Sequence, residues 1–495
     1  MPRSKLILAV DQGTTNTKAL LMDRGGVVRA RAECRVAISF PRPGWVEQDP
    51  LALWNSVVTA ATSCLEQAGD YDLAAVGISN QRESAVVWER GAGRPIGPCI
   101  TWQCRRTSGV CEELLAQGAE YWIRKCSGLP LDPLFSASKI RWLLENTTDG
   151  RKRAADGELC AGTVDSWLLW KLTSGAVHAT DMSNASRTQL FSLADCCWDA
   201  DLIRLFDIPA DCLPGIRPSS GCFGFTAGHG AIPAGAPIGS LIGDSHASLF
   251  GHAAFVPGSV KATYGTGSSI MAPLEAPIES RHGLATTVAW AQADGVRYAL
   301  EGNITNAGGT VQWIADFLGL SGGAQEAAAV ADGVADSGGV YLVPAFAGLG
   351  APHWDSGARG ILCGLTRGVS PAHAARAAVD SIAYQVFDVL DAVRNDAGIP
   401  LPALFADGGA SRNHRLMQFQ ADICGCPVIR NSSADLSAIG AAWLAGLAVG
   451  YWKSLGELAA LPQATTRFEP KMPASARQQL LDGWRDALKR SRSGA

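Results

Sequence analysis

Two acidic residues at the ends of apolar runs define the chemistry open to this chain. Asp11 closes "LILAV" and opens "DQGTTNTK", residues 11–18; Asp244 closes "APIGSLI" and opens "DSHASLFGH". In the first stretch a turn rich in glycine and threonine lets backbone N–H groups and hydroxyls converge on phosphate oxygens. Lys18 adds positive charge there, and Asp11 suits Mg²⁺, a hard cation that prefers oxygen ligands. Two further glycine turns, "YGTGSS" at 264–269 and "DGGASRN" at 407–413, have the same character, and the latter opens a helix whose N-terminus favours anions. A plain hairpin turn would account for any one of them, whereas three in one chain point to a phosphate-bearing ligand. Asp244, where a core strand meets a loop, is placed to take a proton from a hydroxyl. The same letters suit a helix N-cap. His246 and His252 fall on different faces of that helix and have no acid-rich ligand set, so packing or hydrogen bonding suits them better than a metal.

These residues need elements to hold them. With 495 residues the chain exceeds one ordinary core, and two domains are expected. Residues 5–35 read as three strands joined by polar turns, "LALWNSVVTAATSCLEQAG" as a helix and "AAVGIS" as the next strand. Three strands before the first helix predict an α/β fold with a mixed sheet rather than a Rossmann unit. A second unit follows residue 255, with strands in "GSVKATYGTGSSIM", "ATTVAW" and "VRYALEG". Its long helix, about 373–397, carries Val379, Ile382, Ala383, Val386, Phe387 and Leu390 on one apolar face. The boundary is expected in "FGHAAFVPG", giving domains 1–253 and 254–495.

Charge narrows the partners. A net charge of -4 with 18% charged residues leaves no basic stripe for nucleic acid or an anionic membrane. The fourteen cysteines include no CxxC pair and read as reduced thiols. "LILAV" is too short for a signal-peptide core, and no run reaches the roughly 18 apolar residues of a membrane span. A cytoplasmic protein acting on a small molecule is expected, with neither nucleic-acid binding nor membrane insertion.

Over nearly its whole length the chain resembles the FGGY family of carbohydrate kinases, and within it the glycerol kinases. The residues that carry this include "AVDQGTTNTKALLMD", "GISNQRESAVVWE", "TWQCRRT", "TDMSNASRT", "TYGTGS", "VPAFAGLGAPHWD" and "DGGASRNHRLMQFQADI", with family signatures in "SASKIRWLLEN" and "GILCGLTRGVSPAHAARAAVD". The resemblance implies two ribonuclease-H-like domains of the actin and Hsp70 type, closing on ATP and a polyol or sugar in the cleft between them, and a homo-oligomer, a dimer. It implies that Thr14, Thr15, Asn16 and Lys18 meet the phosphates and Asp11 the Mg²⁺. Thr266, Gly308 and Gln312 would meet the nucleotide's phosphate and sugar side, and Gly409 with Asn413 the adenosine. Arg82, Glu83, Trp102 and Asp244 match the substrate-binding positions, with Asp244 the general base. The residue types fit, since Glu83 accepts from two hydroxyls, Arg82 donates to one, and Trp102 walls a carbon chain. For Arg82 and Glu83 an exposed loop ion pair, and for Trp102 a core position, are the ordinary alternatives.

Three substrate-side positions depart from the glycerol kinases. Leu134 stands for a tyrosine, Ser245 for a glutamine and Ser269 for an aromatic, which predicts a pocket wider on one side and an acceptor longer than glycerol, with glycerol itself the alternative. The two serines would meet the added oxygens. The glycine loop of sugar-bisphosphate-inhibited relatives carries an arginine, whereas residues 219–260 contain no Lys or Arg, so no fructose 1,6-bisphosphate site is expected. A rival of another class is a non-catalytic ATP switch on the same architecture.

Overall fold

The three strands expected over residues 5–35 form as β1 (Ser4–Gln12), β2 (Asn16–Met22) and β3 (Val28–Arg35). Helix α1 (Pro50–Glu66) follows, then β4 (Tyr71–Asn80), and the sheet is completed far along the chain by β5 (Ser220–His229) and β6 (Ile232–Gly243). The computed structural model describes residues 4–493; Met1–Arg3 of the basic start, with Gly494 and Ala495, lie outside the described residues. Helix α2 (Asp244–Gly251) leaves β6 directly, with Gly243 as its N-cap, so Asp244 is the first helical residue and not the cap itself.

The second sheet gathers β7 (Ser259–Tyr264), β8 (Ser268–Leu274), β9 (Ala285–Gln292), β10 (Gly295–Ile304), β11 (Ala403–Asp407), β12 (Val428–Asn431) and β13 (Thr465–Phe468). Its helices are α3 (Gly308–Phe317), α4 (Pro371–Ala397), α5 (His414–Cys424) and α6 (Leu436–Ala448). All six apolar residues expected to share a face of α4 are buried. Pro371 opens that helix and a Ser370–His373 capping box closes its first turn.

Both sheets follow one plan. The first runs β5-β6-β4-β1-β2-β3 and the second β9-β10-β8-β7-β11-β12-β13. In each, an antiparallel meander (β1-β2-β3; β7-β8-β10) is extended by two strands parallel to its first member, β4 and β6 or β11 and β12. That repeated order is the ribonuclease-H-like pair of the actin and Hsp70 type. Layers cover both faces of β1, which is why "LILAV" is apolar without alternation: Leu6, Leu8 and Val10 pack with α1, while Ile7 and Ala9 face α2 and α6.

Helices α2 and α6 form the shared middle layer, where Ala75 and Ile242 from the first sheet meet Met271, Trp290 and Ala299 from the second. The two helices cross almost backbone to backbone. A Cβ on Gly440 would lie 1.9 Å from the Ala247 carbonyl oxygen, and one on Gly251 2.4 Å from that of Leu436, so glycine is kept although it costs a helix about 1 kcal/mol. Among the described residues all fourteen cysteines are free, and no helix is long and apolar enough to cross a membrane.

Candidate active site

Because β1, β4 and β6 run parallel, their C-terminal ends open on one edge, the usual place for a ligand crevice. Asp11 pairs with Ser79, and Asn80 pairs with both Gln12 and Gly243, so Asp11, the residues after Asn80, and Asp244 emerge side by side. Ser79 Oγ donates to Asp11 Oδ1 at 2.8 Å. Burial, and next the Asp244 carboxylate, push the Asp11 carboxyl up to about 6. Two acids acting on each other at one sheet edge suit a divalent cation, which would relieve both, and Asp11 keeps an oxygen to offer it.

Arg82 and Glu83 are buried, not an exposed loop pair. Arg82 Nε lies 3.2 Å from Asp244 Oδ1, and its Nη1 donates to Glu301 Oε1 at 2.6 Å. Burial alone would lower its affinity for a proton, but the Glu301, Glu83 and Asp244 carboxylates raise it, so the guanidinium stays charged. Glu83 sits at φ 60 and accepts from Arg187 Nε at 2.7 Å. Its backbone carbonyl accepts from Ser136 Oγ at 3.0 Å and from Lys139 Nζ at 3.3 Å, and Lys139 also binds the carbonyl of Phe135 at 3.0 Å. The buried lysine of "SASKIRWLLEN" thus fixes the backbone that presents Glu83 and Leu134.

Asp244 keeps 37% of its side-chain surface open, while its carboxyl lies deep enough that burial raises its pKa against the pull of Arg82. Ser245 N–H donates to Asp244 Oδ1 at 2.6 Å, and Ser437 Oγ at the start of α6 donates to the Asp244 carbonyl at 3.0 Å. Trp102 is no core tryptophan: the residue is 36% exposed, and its Nε1 donates to Thr14 Oγ1 at 2.9 Å, linking the expected substrate wall to the threonine turn. That turn is closed by Gly13 N–H donating to the Asn16 carbonyl at 3.0 Å, leaves Thr15 exposed, and is braced by Gln48 on the Thr14 carbonyl at 2.7 Å.

On the second sheet the ends of β7 and β11 carry the other two glycine turns. Gly308 N–H donates to the Gly265 carbonyl at 2.9 Å and Gly309 N–H to that of Thr266 at 3.0 Å, stitching "YGTG" to the N-terminus of α3. A Cβ on Gly308 would lie 3.7 Å from Ala410 Cβ, so Thr266, Gly308 and the Gly409 turn meet. Asn413 spends its side-chain oxygen capping α5 through Leu416 N–H at 3.0 Å. Two expected ligands are engaged elsewhere. The Gln312 amide donates to Asp316 at 2.8 Å and accepts from Ala324 N–H at 3.1 Å. Lys18 Nζ, expected at the phosphates, donates to the Ala434 carbonyl at 2.8 Å and Asp435 at 3.4 Å, tying the first sheet to α6.

The three departing positions fare differently. Leu134 packs with Leu129, Phe135 and Ala285. Ser245 Oγ has no protein partner among the described residues. Ser269 Oγ donates to Glu301 Oε1 at 3.0 Å, so only its oxygen, and not its hydrogen, is left for the substrate contact expected of it. His246 is buried, which holds its pKa well below the ordinary value, and makes a 3.5 Å contact with Thr287 Oγ1; His252 pairs with Asp407. No group of three or more His, Cys, Asp or Glu residues placed to hold a metal occurs among the described residues.

Sequence reasoning missed Glu301 and Arg187. Glu301 was visible as a charge at the end of the apolar stretch "VRYALEG", where a paired ion is the ordinary explanation for burial, whereas Arg187 lies in the polar run "SNASRTQ" and gave no such signal. An open depression of about 490 Å³ between Glu47, Asp49, Arg94 and Pro98 is lined by none of the expected site residues.

The model of the FGGY carbohydrate kinase N-terminal domain matches residues 6–251, and that of the C-terminal domain residues 260–449. A glycerol kinase of Paraburkholderia phytofirmans is 48% identical over 496 residues, covering 100% of this chain and 99% of the relative. That of Koribacter versatilis is 48% identical over 491 residues, covering 99% and 98%. The crystal structure of Plasmodium falciparum glycerol kinase with ADP superposes with a TM-score of 0.93 at 30% identity over 100% of both chains. Xylulose kinase from Lactobacillus acidophilus, at 24% identity and a TM-score of 0.87 over 99% of both chains, shares the fold. With both family halves matched in order over a doubled ribonuclease-H-like frame, the chain belongs to the FGGY family of carbohydrate kinases, phosphotransferases with an alcohol group as acceptor.

Proposed function

We propose that this kinase transfers the γ-phosphoryl group of ATP to a terminal hydroxyl of a small polyol, with glycerol as the first candidate. The observation that carries the reading is the convergence of Asp11, Arg82, Glu83 and Asp244 on one sheet edge, with Trp102 hydrogen-bonded to the threonine turn. A nucleotide switch has no need of this acceptor apparatus. Full-length identity to proteins named glycerol kinase supports glycerol over the longer acceptor expected from the three departing positions.

In this mechanism residues 1–253 supply the acceptor side and residues 254–495 the nucleotide side. Arg82 and Glu83 hold the acceptor hydroxyls, Trp102 covers its carbon chain, and Asp244 takes the proton of the attacking oxygen as the new O–P bond forms. The bond from the γ-phosphorus to the bridging oxygen breaks, ADP leaves, and the proton passes from Asp244 to solvent through its open face. Backbone N–H groups and hydroxyls of Thr14, Thr15, Asn16 and Thr266 hold the phosphates, and Gly308, Gly409 and Asn413 the nucleoside. Mg²⁺, held at Asp11, would supply neutralising charge to the phosphates. Lys18 and Gln312 would join only by leaving Asp435 and Asp316.

A longer acceptor remains the second reading because Leu134 has no hydroxyl to crowd the pocket and Ser245 Oγ is unengaged. An ADP-release assay over glycerol, erythritol, threitol, xylitol, ribitol, ribulose and xylulose separates the two. Highest kcat/KM on glycerol supports the first reading, a four- or five-carbon optimum the second, and no turnover on any acceptor refutes both.

A further inference from the structure

Glu301 is a fully buried side chain in β10 of the second sheet, yet both of its charged partners, Arg82 and Arg187, belong to the first half of the chain. Its Oε1 accepts from Arg82 Nη1 at 2.6 Å and from Ser269 Oγ at 3.0 Å, and its Oε2 lies 2.7 Å from Arg187 Nη1. This last approach is a charge contact without hydrogen-bond alignment. Arg187 also holds Glu83, and Arg82 also faces Asp244. Charges therefore alternate along one chain: Glu83, Arg187, Glu301, Arg82, Asp244.

We propose that Glu301 is the positioning residue of the acceptor site, aiming Arg82 and Arg187 from across the cleft so that Arg82, Glu83 and Asp244 are arranged for the acceptor only when both sheets contribute. The inference rests on the acceptor reading above for what the site binds. Within this chain two guanidiniums balance two of the three carboxylates; Asp244, the member open to the cleft, also faces Asp11 and the buried Lys261, which act on it in opposite senses. By engaging Nη1, Glu301 keeps Arg82 from turning wholly toward Asp244, which leaves the base less tightly paired and a stronger proton acceptor. Ser269 donates to the oxygen that Arg82 uses, so in this chain a pocket residue acts on the acceptor through Glu301.

Glu301→Gln keeps the shape and removes the charge. With the acceptor that the wild type uses best, acceptor KM should rise roughly tenfold or more, as expected for losing a hydrogen bond to a charged group, with ATP KM changed less than about twofold. Arg82, released from Glu301, then pairs more fully with Asp244, so the acid limb of the kcat/KM profile should move to lower pH. Ser269→Ala should shift acceptor KM in the same direction by a smaller factor, and Glu301→Asp should recover part of the loss. Circular dichroism and thermal melting establish that the variants are folded; if Glu301→Gln is not, Ser269→Ala decides by the same two readouts. A folded variant with wild-type acceptor KM and a superimposable pH profile overturns the inference. Wild-type turnover in the acceptor assay is read separately and decides only the parent reading.

Discussion

His252 Nε2 lies 2.8 Å from Asp407 Oδ2, and the same oxygen accepts the Ser248 hydroxyl at 2.6 Å. His252 and Ser248 belong to the α2 segment that begins at Asp244, while Asp407 ends β11 immediately before the Gly408–Gly409 turn. Burial works against ionising Asp407, yet His252, Lys261 and Ser248 hold its carboxyl at about 2. The contact joins the helix of the proposed base to the proposed adenosine turn. His252→Ala leaves a buried carboxylate with one partner fewer, a loss of about 1.5–3 kcal/mol. The expected result is a Tm lower by a few degrees and an ATP KM raised several-fold with acceptor KM little changed. Thermal melting and initial-rate kinetics check it, and an unchanged Tm would sink the link.

Asp244→Asn keeps the size of the side chain and its place at the first turn of α2 while removing the proton acceptor. Turnover should fall by about 10²–10⁴-fold, the range for losing a general base. Nucleotide binding, followed by calorimetry with ADP, should stay close to wild type because the proposed nucleotide contacts lie on other elements. Normal turnover in the Asn variant would remove Asp244 from the mechanism.

Stability should fall as pH rises from 5 to 8 in the ligand-free protein. Asp165, fully buried with Asp181 beside it, has its carboxyl pushed up to about 7 by burial first and by Asp181 next, and burial raises Asp380 to about 6 despite Arg376. Both lie above the unfolded value near 3.8. The folded state therefore binds the extra protons below these values, and the stability they give is lost as pH climbs through 6 and 7. His178, depressed to about 4, and His246, held well below 6.5, both by burial, oppose this fall up to about pH 6.5 but are outnumbered by the raised carboxyls, and Asp407, depressed to about 2, loses its contribution only below about pH 4. A melting series should show Tm dropping by several degrees between pH 5 and pH 8, with a flatter curve for Asp165→Asn. A Tm that rises across this window would contradict the assignment.

What the sequence made legible was local. "LILAV", the six-residue face of α4 and the three glycine turns declare themselves through short-range period and turn chemistry, and each lies where that chemistry puts it. Glu301 did not, since its meaning depends on Arg82, 219 residues away, and on a register between strands that no local pattern records. Lys18 was assigned to phosphate by its neighbours in the chain, but its partner Asp435 lies 417 residues on. The small sheet of Ala85–Glu89, Cys99–Ile100, Glu47–Gln48 and Leu159–Thr163 escaped because two of its strands are two residues long and carry no period.

Fructose 1,6-bisphosphate should not inhibit this enzyme. Residues 219–260, which contain no Lys or Arg, form the β5–β6 hairpin and α2, and the hairpin turn is occupied by the protein itself. There Ala231 N–H donates to Thr62 Oγ1 at 3.1 Å, and the His229 ring packs edge-on against Trp54 at 4.9 Å. Arg217, just before the segment, donates to the Cys222 carbonyl at 3.2 Å. A ligand with two phosphates needs several charge-assisted donors, and one guanidinium already bonded to backbone is too few. Titration to millimolar bisphosphate in the ADP-release assay should leave the rate unchanged. Saturable inhibition would show that basic residues from outside this segment build the site, most directly from a second copy of the chain, and repeating the titration across protein concentrations would distinguish that origin.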